Sequence, residues 1–215
     1  MKPQIRADLR EATLDELIDF VFDHPEPRLD ADGRREDWNW TVDLEVEIDA
    51  AHQLTLMTEL FRGAAARLRQ FSPAQIDQGL WFMFGAGGSE WFSALLADRE
   101  LPWPARRAVI RALYDLYDGL LAHIEVESAR YMLWDMLLDP FHGDYAEIAD
   151  TCFETLVRVL SLPNVECQAA ALHGLGHLKH PQTTRAVSEY LRDQAPPDPD
   201  LRQYAERVRR GEDIL

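Results

Sequence analysis

Apolar positions along this chain recur mostly at three- and four-residue spacing, the period of a helix that buries one face. Thr13-Leu14-Asp15-Glu16 has the form of a capping box and opens a first helix running to about His24, where Pro25 and Pro27 end it. Ser72-Pro73 with Gln75 repeats the device. The helix behind it is densely apolar (Ile76, Leu80, Trp81, Phe82, Met83, Phe84) and is expected to pack on more than one side. Gly85–Gly88 breaks that helix and Ser89 caps the next, Glu90–Asp98. Pro104–Ile124 carries two apolar stripes, Val109/Leu113/Leu116/Leu120 and Ile110/Tyr117/Leu121, as a helix between two layers does. Helices over Val126–Leu138 and Asp144–Leu160 follow, and a last one opens at Asp198 with the stripe Leu201, Tyr204, Val208. The pattern predicts an all-α fold of about ten helices in a single domain. Within it, residues 1–41 form an N-terminal helix and a long acidic loop, 42–194 the helical body, and 195–215 a Pro-rich connector and final helix.

Two stretches depart from the helical period. Thr41–Ile48 alternates Val42, Leu44, Val46 and Ile48 with Asp43, Glu45 and Glu47, which taken alone is a strand. No second segment stands out to pair with it. It is therefore read as the start of a helix ending at Phe71, with a short extended lead-in, on the stripe Val46, Ala50, Met57, Phe61, Ala64, Leu68 and Phe71. Any sheet is expected to be confined to Thr41–Ile48. Glu26–Trp40 is irregular and long for a connector, and loops of that length tend to be functional or disordered. Trp38 and Trp40 at its end either pin it to the first helices or serve a partner as aromatic anchors.

Asn164–Leu191 holds two short helices with a break at Lys179-His180-Pro181. In the first, Ala171, Leu172, Leu175 and Leu178 form the apolar face. Small neighbours (Ala169, Ala170, Gly174, Gly176) let another helix come close. In the second, Pro181 suits the opening turn and Ala186, Val187, Tyr190 and Leu191 form the apolar side. This stretch resembles a HEAT repeat, with Ala-Leu-x-x-Leu in the first helix and a proline opening the second. Ala112-Leu113-Tyr114-Asp115-Leu116 echoes Ala171–Leu175, without a constant period between them. The resemblance implies an irregular solenoid of helical hairpins. HEAT-like proteins are mostly protein-binding scaffolds and in a few cases enzymes acting on nucleic acid, so the likeness does not choose a function.

Charge narrows the choice. The chain of 215 residues has a net charge of −16, and residues 1–50 hold 15 acids against 6 bases, a net of −9. Such a field repels nucleic-acid phosphate and anionic lipid and draws a basic partner. The longest uncharged run, Gln78–Ser89, is 12 residues, too short to span a bilayer, and Met1–Glu16 lacks the apolar core of a signal peptide. Cys152 and Cys167 match no disulfide framework or zinc spacing, and Cys152 shares an apolar face with Ile148 and Leu156. A cytoplasmic location is expected.

Candidate chemistry is sparse. His173 and His177 stand one helical turn apart, the spacing of two zinc ligands, with Glu166 on the same side and His180 just beyond. Helical geometry sets both histidines opposite Leu172 and Leu175, so they are expected to be exposed and to hold no metal. Glu45, Asp49 and His52 carry half of a di-metal motif without a second half. Gly85–Ser89 before a helix offers backbone N–H groups to an anion, but Glu90 competes and the P-loop lysine is lacking. Asp115, Asp118 and His123 are possible acid/base groups with nothing to perturb them. Arg207, Arg209 and Arg210 complement a helix dipole. No catalytic signature and no cofactor site is found. The function expected is a non-enzymatic scaffold, of inhibitor or immunity type, that binds a basic protein through Glu36, Asp37, Trp38 and Trp40. The alternative is a HEAT-like enzyme, metal-dependent or nucleic-acid-modifying, with an acidic groove.

Overall fold

The structure, a computed structural model, describes residues 2–85, 91–138, 146–194, 196 and 198–212. Among them are ten α-helices and four short strands. Strand β1 (Gln4–Asp8) precedes α1 (Leu14–Phe22); β2 (Arg28–Leu29), β3 (Arg35–Glu36) and β4 (Asp43–Glu47) precede α2 (Ala50–Arg67). Then come α3 (Pro73–Phe84), α4 (Trp91–Ala97), α5 (Trp103–Leu116), α6 (Ala129–Leu138), α7 (Ala146–Leu160), α8 (Val165–Leu178), α9 (Thr183–Asp193) and α10 (Pro199–Arg209). The caps read from the sequence are in place: Thr13 and Ser72 each close a capping box, and Asp198 accepts from the backbone of Asp200 and Leu201. The break at residues 86–88, the Ser89 cap with its candidate anion contact, and the expected helix start at Asp144 lie outside the described residues.

Thr41–Ile48 is not the start of a helix. β4 is a strand because it has a partner: β1 runs parallel to it, with Ile5 opposite Leu44 and Ala7 opposite Val46. Ala7, Leu44 and Val46 are half-buried against the core. Arg6 meets Glu45 at 2.7 Å on the outer side. The helix begins only after Asp49, whose carboxylate accepts the His52 N–H at 2.9 Å. Nor is the sheet confined to that stretch, since β2 and β3 form a second, antiparallel pair.

The helices stack as their stripes require. α5 lies between α2 and α7, as its two apolar stripes predict, and continues as a π-helical turn, Tyr117–Leu121. α8 packs on α6 and α7, and α9 finds its main neighbour in α10. Gly174 is what lets α8 approach: a Cβ there would stand 2.7 Å from Leu156 Cδ2 and 2.9 Å from Trp134 Cγ. Lys179 ends α8 in the left-handed region (φ 49°), and α9 opens at Thr183, past Pro181. No helix among the described residues is long and apolar enough to cross a membrane.

Candidate functional site

The acidic loop is tied down before it presents anything. A tight turn joins β2 to β3, with Gly33 at φ 75° and the Asp30 carboxylate accepting the N–H groups of Asp32 (2.9 Å) and Arg34 (2.8 Å). Arg35 then reaches three carboxylates: Asp37 at 2.6 Å, Asp77 of α3 at 2.5 Å and Glu127 at 2.8 Å. Burial works against the Arg35 charge, but its hydrogen bonds to Asp37 and Asp77 and their negative charges outweigh that and raise its pKa. Asp37 is pushed up by burial, against the pull of Arg35, with the Asp77 and Glu127 charges adding to the rise. Asp77 also accepts the backbone N–H groups of Ser128 (3.0 Å) and Ala129 (2.8 Å), so one carboxylate joins the loop to the start of α6. Gln75 donates to the His24 carbonyl at 2.7 Å and Gln78 to that of Pro25 at 2.8 Å.

Of the four expected partner-binding residues, two are inside the protein. Trp38 is 8% exposed, stacked on His24 at 3.7 Å and tilted against Phe82 at 5.1 Å. Asp37 is 1% exposed. As the chain stands, only Glu36 and Trp40 can be reached from outside, Trp40 being 43% exposed. Leu29, at 72%, is the other large apolar side chain the loop presents; nothing in its sequence context set it apart.

The expectation that His173 and His177 are exposed is overturned: the first is buried and the second half-buried. His173 is 5% exposed, because α6 covers that side of α8, and its ring lies 4.1 Å from Tyr131. Its Nε2 stands 2.8 Å from both carboxylate oxygens of Asp135, with a hydrogen bond to Oδ2. Nδ1 lies 3.0 Å from the Tyr204 hydroxyl, itself 3.0 Å from that of Tyr131. His177 Nε2 comes within 3.0 Å of Asp135 Oδ1. Burial pulls the His173 pKa down, against the hydrogen bond and charge of Asp135. It raises that of Tyr204, helped by the Tyr131 contact. Glu166 is exposed and takes no part; Asp135 holds the place it was expected to fill. Sequence spacing could not find Asp135, which comes from another helix.

The remaining candidates resolve into structure. His52 Nε2 lies 2.8 Å from the Ala12 carbonyl, Asp49 is a helix cap, and Glu45 sits on the outer face of β4. His123 Nε2 meets the Asp118 carbonyl at 2.9 Å. His180 pairs with Asp150 at 2.9 Å over the Phe153 ring. Both cysteines are free and buried, and burial pushes Cys152 up to about 12 and Cys167 to about 11, far from a reactive thiolate. No family model matches the chain, and neither does a curated protein or a solved structure.

Proposed function

We propose that this protein is a non-enzymatic, cytoplasmic binding scaffold, of inhibitor or immunity type, whose N-terminal third receives a basic protein. The observation that carries the reading is a coincidence of charge and exposed apolar surface. Four large hydrophobic side chains are exposed among the described residues, and three of them, Ile5, Leu29 and Trp40, belong to the segment with a net charge of −9. In the same segment the outer face of the β1–β4 pair carries Asp8, Asp43, Glu45 and Glu47, with Arg6 paired to Glu45 and Arg10 to Asp8 and Glu47. Exposed apolar anchors in a strongly acidic segment suit a partner of the opposite sign: the anchors hold, and the charges speed encounter. The same field disfavours nucleic acid, which weighs against a glycosylase-like enzyme. The HEAT-like solenoid is retained as the proposed architecture on the helix–break–helix of α8 and α9, although their main packing partners lie elsewhere.

The test is capture from the native host with tagged wild-type protein beside a variant carrying Leu29→Asp, Trp40→Ala and Glu45→Lys. The reading expects a basic protein retained by the wild type, released by salt and missing from the variant. The same proteins on both baits, or a captured partner that is acidic, would count against it.

A further inference from the structure

We propose that Asp135, His173 and His177 form a binding site for a divalent transition-metal ion of the zinc type, a site that goes beyond the scaffold reading and does not depend on it. The three side chains offer two imidazole nitrogens and a carboxylate oxygen, all within 4.8 Å of one another. They come from two packed helices, Asp135 from α6 and the histidines from successive turns of α8. A second observation points to a cation. Asp135 Oδ1 is buried with no hydrogen-bond partner, although His173 Nε2 lies 2.8 Å and His177 Nε2 3.0 Å away. The His173 hydrogen bond goes to Oδ2 instead. A carboxylate oxygen shut off from water and left unmatched is costly, and a cation seated among the three atoms removes that cost.

The hydrogen bonds behind the site fit a metal ligand. With Nε2 given to the ion, Nδ1 carries the proton and donates to Tyr204, which in turn donates to Tyr131. That is the outer hydrogen bond by which metal-bound histidines are held in one tautomer. Two imidazoles and one carboxylate select zinc, cobalt or nickel over magnesium or calcium. Asp135 and His177 keep 23% and 33% of their side chains exposed, which leaves the ion a way in and a free position for water.

The experiment uses the full chain, freed of any histidine tag and stripped with a chelator, and titrates it with zinc and with cobalt. One ion per chain is expected, with visible cobalt bands and a raised melting temperature. His177→Ala, at the exposed edge of the site, should lower zinc affinity by about 100-fold while the ion-free protein melts as before; Tyr204→Phe, one bond further out, should lower it by about 10-fold. The absence of stoichiometric binding overturns the proposal, and so does binding that survives both His177→Ala and Asp135→Asn unchanged.

Discussion

Replacing Trp38 by alanine separates a tryptophan that fastens the loop from one that faces a partner. Core Trp→Ala changes cost about 3–5 kcal/mol. Trp38 qualifies by its 8% exposure and its contacts with His24 and Phe82. Its Nε1 is buried without a partner, however, so the native state carries a penalty that the truncation relieves. That places the expected loss near the low end, about 3 kcal/mol. In a chain of 215 residues each kcal/mol moves the melting temperature by about 2–4 °C, giving a drop of about 6–12 °C. Trp40→Ala, at a side chain 43% exposed, should stay within about 0.5 kcal/mol. Trp38→Phe keeps a ring over His24 and removes the unmatched N–H, so it should cost less than the alanine. Thermal unfolding followed by circular dichroism reads all three. Equal stability losses for Trp38→Ala and Trp40→Ala would refute the division of roles.

Three further outcomes follow from named contacts. Asp77→Ala removes a cap from α6 and a buried partner of Arg35, and should cost about 2–4 kcal/mol by urea unfolding. Gly174→Ala should destabilise by about 1–3 kcal/mol despite alanine's better helix propensity, because the added carbon strikes Leu156 and Trp134. Burial holds His24 and His173 below the ordinary imidazole value of 6.5, so beneath that pH the unfolded chain takes up protons that the folded chain resists. Stability against denaturant should therefore be full above about pH 6.5 and fall as acid is added towards the lowered folded values, with a shallower slope in His24→Phe.

Helix positions were readable because local rules govern them. The capping boxes at Thr13 and Ser72, the two-sided stripe of α5 and the small face at Gly174 each depend on residues within a turn or two of one another. What could not be read depends on distant pairing. β4 looked unpartnered because β1 is five residues of mixed polarity whose only apolar members are Ile5 and Ala7. Trp38 could not be told from Trp40 because its burial comes from His24, Phe20 and Phe82 on other elements. The same limit hid Asp135: outward placement of His173 on an isolated helix became burial once α6 lay across it.

We propose that the acidic N-terminal segment keeps the buried Trp38 and Asp37 as fasteners and presents the exposed Trp40 and Leu29 to a basic partner. Hydroxyl-radical footprinting by mass spectrometry measures this directly, on the free protein and after addition of the basic protein fraction of the native host. Trp40 and Leu29 are expected to be oxidised in the free protein while Trp38 is spared, and the basic fraction is expected to protect Trp40 and Leu29 at low salt but not at high. Oxidation of Trp38 as fast as Trp40, or labelling of Trp40 and Leu29 that the basic fraction leaves unchanged, would contradict it.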